Sequence, residues 1–173
     1  MKPVDRFIKS ALQDDIIIGT PIVQKSSISN SANSLFSLLS DHFKFYVKAY
    51  TFHWNTTGPR FSILHAFFQQ IWAAEPANID LIAERIRQLG CLVNGSLKAF
   101  CGCGDIQEAS GTELSENEML SELLDDVNTI IQNTRELVNT MNNGQDFATC
   151  DMLIKMLDEY EKTAWLIRSH LSE

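Results

Sequence analysis

Two histidines, His53 and His65, and a carboxylate pair, Asp80 and Glu84, are the side chains whose types and spacing could do chemistry together. Imidazole combined with paired hard oxygen ligands suits iron in a carboxylate-rich site. Asp80 and Glu84 are four residues apart, so on a helix both project from one face. His65 and Asp80 are fifteen residues apart. On one helix, at about 1.5 Å per residue, that places them roughly 22 Å apart along the axis, too far to share a metal. Either the helix folds back, or the site is built from two chains arranged head to tail about a two-fold axis. In the second case His53 and His65 of one subunit meet Asp80 and Glu84 of the other, and two equivalent sites result. The geometry prefers the second answer. Taken singly, each residue also has an ordinary reading. A histidine on an apolar stripe packs in a core, and Asp80 and Glu84 beside Arg85 and Arg87 form a solvated helix face.

The elements that must position these residues read as helices. Leu35, Leu38, Leu39, His42, Tyr46, Tyr50 and His53 recur at three- and four-residue steps along one stripe. Gly58-Pro59 ends that helix, with Pro59 suited to the first turn of the next. Phe61, Leu64, Phe68, Trp72, Ile79, Ile82, Ile86 and Leu89 mark a second long helix, stopped near Gly90. Residues 91 to 112, with four glycines, predict a long connection holding one short helix around Leu97–Phe100. Ser115-x-x-Glu118 is a capping box for a third long helix. Asn142-Asn143-Gly144 stops it, and a fourth runs through Leu153, Tyr160, Ile167 and Leu171. Two helical hairpins joined by a long crossover are what a ferritin-like four-helix bundle requires. Residues 1 to about 28, punctuated by Pro3, Gly19 and Pro21, read as an N-terminal arm, and residues 29–173 as the bundle.

The bulk composition narrows the classes. A chain of 173 residues suits one domain with a single core. No apolar run approaches the roughly 20 residues of a membrane span. The charged start Met1-Lys2-Pro3-Val4-Asp5-Arg6 is unlike a signal peptide, so a cytoplasmic location is expected. Net charge is −8; the first 27 residues carry +1, which leaves −9 on the remainder. An acidic body repels nucleic acid and attracts cations, favouring metal handling over DNA binding. Cys91, Cys101, Cys103 and Cys150 lack paired Cys-x-x-Cys units and read as free thiols, several of them buried.

The segment Phe52-His53-Trp54-Asn55-Thr56-Thr57-Gly58-Pro59-Arg60-Phe61, followed by Leu64-His65, resembles the motif of the Dps family of mini-ferritins. So do Ile79-Asp80-Leu81-Ile82-Ala83-Glu84-Arg85-Ile86-Arg87-Gln88-Leu89-Gly90 and Glu161-Lys162-Thr163-Ala164-Trp165-Leu166-Ile167-Arg168. The motifs stand in the family's order and spacing over about residues 29 to 172. The resemblance implies a dodecameric cage that oxidises ferrous iron at two-fold interfaces, preferentially with hydrogen peroxide, and stores ferric mineral. By position, His53 and His65 are implied ligands from one subunit and Asp80 and Glu84 from its partner. Trp54 is implied as a nearby electron donor or radical trap, with interface packing as its alternative.

Two positions depart from the family pattern. Where members commonly place an acidic residue four positions after the second histidine, this chain has Gln69. An amide still coordinates or orients a water but removes a negative charge, so weaker binding at the second iron position is expected. Pro76, inside the second helix, removes a hydrogen bond to residue 72 and tends to kink the axis one turn before Asp80. The family's cation pores lie near the start of the last helix. Asp151 matches that region best and Asp146 second, the alternative being a helix N-terminus that favours acids through its dipole. The leading expectation is therefore a ferroxidase that stores iron. The alternatives are a DNA-coating nucleoid protein, weakened by its near-neutral arm, and a cage scaffold whose oxidation site has decayed.

Overall fold

The computed structural model describes the backbone of residues 25–171 and the side chains of residues 30–171. The described chain is all-α: α1 (Lys25–Asn55), α2 (Phe61–Gln88), α3 (Leu97–Cys101), α4 (Glu116–Asn143) and α5 (Phe147–Leu171). The expected arm lies outside the described residues as far as residue 24, and residues 25–28 already belong to α1. The hairpins α1–α2 and α4–α5 pack side by side through α1 and α4, whereas α2 and α5 touch more sparsely than α1 and α4 do. The four apolar stripes meet in one core that includes Leu35, Phe45, Phe68, Ile82, Leu120, Val127, Leu153 and Ile167. Burying a side chain of this kind stabilises the fold by about 1.5–3 kcal/mol.

The predicted boundaries hold with local differences. The capping box is present: the Ser115 N–H donates to Glu118 Oε2 at 2.7 Å and the Glu118 N–H to Ser115 Oγ at 3.3 Å. Hydrogen bonds from the Ser115 hydroxyl and from its backbone N–H to the ionised carboxylate hold Glu118 below the usual carboxylate range. Pro59 stands outside α2, whose N-cap is Arg60. Gly144 caps α4 with an ordinary negative φ, and the left-handed turn falls on Gln145, at φ 60°. Pro76 does not break α2, which runs unbroken from Phe61 to Gln88. The short helix α3 docks by stacking Phe100 on Phe43, ring centroids 4.5 Å apart.

Asp41 ties the crossover to the bundle. Its fully buried carboxylate accepts from the Asp105 N–H at 2.7 Å, the Ile106 N–H at 2.9 Å and Asn133 Nδ2 at 3.2 Å. The turn that presents those amides passes so close that a Cβ on Gly104, at φ +77°, would sit 2.2 Å from Asp41 Oδ1. Nearby, Lys48 is buried against Asp126, Nζ to Oδ2 2.8 Å, with Glu122 at 3.8 Å. Burial raises the Asp126 carboxyl to about 6, against the opposing hydrogen bond and charge of Lys48.

Two predictions follow from these contacts. Gly104→Ala is expected to lower unfolding free energy by about 3 kcal/mol, since it adds left-handed strain and displaces the Asp41 bonds; chemical denaturation measures it. Asp126 binds more protons folded than unfolded, so its ionisation erodes stability as pH rises from about 4 to its folded value of about 6. The stability of the wild type relative to Asp126→Asn should therefore decline across that window and level off above it. Parallel curves would remove Asp126 as the source.

Candidate metal centre

His53 lies in the last turn of α1 and His65 near the start of α2, so the intervening turn decides whether they meet. Arg60 fixes that turn. Its backbone N–H donates to Glu116 Oε1 at 2.8 Å and its Nε to Glu116 Oε2 at 3.0 Å. Its other nitrogens reach Asn117 Oδ1 and the His170 carbonyl, the latter at 2.8 Å. One guanidinium thus joins the α1–α2 turn to the start of α4 and the end of α5. Gly58, at φ +112°, lets the chain turn against Glu116.

The two imidazoles stack with centroids 3.8 Å apart and planes 23° from parallel. Each Nδ1 is bonded to the other residue's backbone carbonyl: His53 Nδ1 to His65 O at 2.8 Å, His65 Nδ1 to His53 O at 2.9 Å. A carbonyl can only accept, so both Nδ1 atoms carry the proton and both Nε2 atoms keep their lone pairs. A second hydrogen bond that sets the tautomer is the usual support of a metal-ligating histidine. Around the pair stand Phe61 at 5.1 Å from His65, and Trp72 and Tyr50 at 5.8 and 6.1 Å from His53. Trp54 is 66% exposed, with its ring edge against Tyr50.

Asp80, Glu84 and Gln69 are all exposed on α2. Because α2 is unbroken, it does not fold back, and Asp80 stays about 22 Å along the axis from His65. One chain brings the histidines together and leaves the carboxylates apart. Among the described residues, no group of three His, Cys, Asp or Glu side chains converges in a way that could hold a metal.

The pore candidates are placed differently from one another. Asp146 is half-buried, paired with Arg85 at 2.8 Å, and accepts the Thr149 N–H at 3.1 Å as a cap at the start of α5. Asp151 is exposed and paired with Lys155 at 2.6 Å. The cysteines are free thiols, with Cys91, Cys103 and Cys150 buried and Cys101 exposed.

The sequence reading missed one polar cluster altogether. His42, which it placed on the apolar stripe of α1, meets Glu75 of α2 and Tyr160 of α5 inside the bundle. The readable signal was Glu75, a carboxylate standing where the stripe Phe68, Ile71, Ile82 and Ile86 calls for an apolar side chain. Its partners lie 33 and 85 residues away, beyond the reach of helical periodicity.

The profile of the ferritin-like domain family matches residues 32–173. A low temperature-induced protein of Nostoc sp. is 32% identical over 157 residues, 90% of this chain and 86% of that protein. A DNA protection during starvation protein of Brevibacillus brevis is 32% identical, over 73% of this chain and 84% of that protein. A solved Dps protein from Bacillus brevis matches with a TM-score of 0.83 at 28% identity, covering 86% of this chain and 99% of that one. Dps from Mycobacterium smegmatis matches with a TM-score of 0.84 at 25% identity, covering 91% and 96%. The chain belongs to the Dps family of ferritin-like proteins.

Proposed function

We propose that this chain is a mini-ferritin subunit that oxidises ferrous iron at sites shared between two-fold-related copies and stores the ferric product inside a dodecameric cage. The observation that carries this reading is the reciprocal lock of His53 and His65, which fixes two stacked imidazoles with the proton on Nδ1. Iron is the substrate. His53 and His65 hold it from one subunit, and Asp80 and Glu84 supply hard anionic oxygens from the other. Gln69 stands where a second iron would be held and contributes an amide. Exposed Trp54, Phe61 and Leu81 add apolar surface beside these residues that a partner would cover.

In the reaction, hydrogen peroxide takes two electrons from two ferrous ions and two protons from solvent and leaves as two waters. The body's charge of −9 concentrates cations at the protein, and Asp151, paired with Lys155, and Asp146, paired with Arg85, are the carboxylates proposed to lead them inward. The cytoplasm is the expected location, and no helix among the described residues is long and apolar enough to cross a membrane. Trp54, beside His53, is the residue positioned to donate an electron to an over-oxidised site.

A DNA-coating role is the second reading, favoured by the names of relatives such as the DNA protection during starvation protein of Brevibacillus brevis. The +1 arm and acidic body oppose it through phosphate repulsion.

Anaerobic loading with ferrous iron, followed by one peroxide per two irons, tests the main reading. His53→Ala/His65→Ala is expected to slow ferric absorbance growth on the order of 10–100-fold or more. Mixing that variant with Asp80→Ala/Glu84→Ala should restore activity, since each mixed pair regains one intact site. Equal slow rates in the wild type and both variants would leave a scaffold with a decayed site. For the second reading, a gel shift at low salt is expected to show no retention of duplex DNA. Tight binding that disappears when residues 1–27 are removed would put DNA coating first.

A further inference from the structure

Two cysteines flank one glycine at the end of α3, and the candidate metal centre uses neither. Both are free thiols; Cys101 is exposed, whereas Cys103 is only 5% exposed. Burial pushes the thiols of Cys91, Cys103 and Cys150 up, away from the reactive thiolate. Cys101 is therefore the thiol that a solvent-borne oxidant reaches directly.

Gly102 sets the geometry between the pair. At φ −85° and ψ −1° it continues the helical turn. Two residues apart on such a turn, Cys101 and Cys103 have Cα atoms about 5.4 Å apart, inside the range a disulfide accepts. Their Cβ bonds, however, point about 160° apart around the axis, which turns one sulfur to solvent and the other inward. Joining them requires the backbone to move, and glycine is the residue with the freedom to allow it. Little holds the turn against that movement. The Gly102 N–H reaches Lys98 O at 3.2 Å and the Cys103 N–H reaches Phe100 O at 3.3 Å, both longer than the common N–H···O distance.

Moving Cys103 disturbs the anchor of the crossover. The next residue, Gly104, passes Asp41 so tightly that a Cβ there would meet Oδ1 at 2.2 Å and the Ser37 carbonyl at 3.0 Å. The two residues after it, Asp105 and Ile106, donate their amides to that same Oδ1. Lys44, which bonds the Ile106 carbonyl at 2.8 Å, also acts electrostatically on the Cys103 thiol, as does Asp41. The buried thiol thus belongs to the contact that fastens the crossover to α1.

We propose that Cys101 and Cys103 are a peroxide-oxidised dithiol, and that forming their disulfide releases the crossover from Asp41. The Cys101 thiolate attacks one oxygen of hydrogen peroxide. The O–O bond breaks, hydroxide leaves and takes up a proton as water, and Cys101 becomes a sulfenic acid. Cys103 then turns out of its pocket about Gly102 and attacks the sulfenic sulfur. The S–S bond forms, the S–O bond breaks, and the departing hydroxide takes the Cys103 proton as a second water. Two thiols have supplied two electrons, and the peroxide is reduced to two waters. A disulfide closed over a single residue is tight, so thiol reductants reopen it and the crossover docks again. All of this chemistry lies within one chain and needs no metal.

The test uses the full, iron-free chain, reduced and then given one hydrogen peroxide per chain. Trypsin separates the thiols, since residues 99–135 hold Cys101 and Cys103 and no other cysteine. That peptide should lose two hydrogens and resist alkylation, while Cys91 and Cys150 still alkylate. The Asp105 and Ile106 amides should then exchange with deuterium on the order of tenfold faster or more, and dithiothreitol should reverse both changes. Cys101→Ser should leave Cys103 reduced and amide exchange unchanged under peroxide. Cys103→Ser should stop at a Cys101 sulfenic acid that dimedone traps. In the wild type, thiols left intact, a Cys101 sulfinic acid beside reduced Cys103, or a disulfide between chains would each refute the pair. An intramolecular disulfide with unchanged exchange at residues 105 and 106 would refute the release. None of these outcomes bears on iron oxidation at His53 and His65.

Discussion

The Arg60 guanidinium binds Glu116, Asn117 and the carbonyl of His170 at once, and the geometry at that end of the bundle depends on it. With that clamp in place, the turn between α1 and α2 is held against two other helix ends. His53 and His65 then face each other at a spacing their own hairpin alone would not guarantee. Charge-assisted, multidentate bonding of this kind is strong because arginine's donors are fixed in a plane. The histidine pair then locks itself, each ring held by the other residue's backbone. The result is a pair of imidazoles held in a fixed orientation by the fold itself.

The same helix that carries His65 keeps it from Asp80 and Glu84. A continuous α2 is stiff over its length, and Pro76, exposed on its surface, leaves that continuity intact. Within one chain the nitrogen and oxygen donors therefore remain separate halves. Under the proposed assembly, head-to-tail pairing unites them, and catalysis is then linked to oligomerisation. Under that proposal, iron oxidation at these residues requires two paired chains.

Polar groups inside the bundle do different work. Asp41 fixes the crossover by accepting from two backbone amides and Asn133, and Lys48 fixes the pairing of α1 with α4 through Asp126. His42, Glu75 and Tyr160 bridge α1, α2 and α5, including the sparsely packed pair α2 and α5. An unsatisfied buried polar group costs on the order of 1–3 kcal/mol, so each cluster penalises any slip in helix register. They specify one alignment where apolar stripes alone would tolerate several.

Much of this was legible in the chain itself. The stripes of α1, α2, α4 and α5, the capping box at Ser115 and the short helix near Leu97 are local features, set by three- and four-residue periodicity and by backbone groups within a turn. The candidate residues His53, His65, Asp80 and Glu84 could be named from residue type and from their place in a family motif, and the structure brings the two histidines together. Even the distance argument needed only the rise of a helix. What periodicity could not reach was the third dimension. Nothing local says that Arg60 meets His170 110 residues later, that Asp146 pairs with Arg85, or that the glutamate among the isoleucines of α2 points at Tyr160. The sequence by itself determined which helices form and which side chains they offer. The tertiary structure alone decided which offers coincide, because contacts across a bundle depend on how four rigid rods settle against one another.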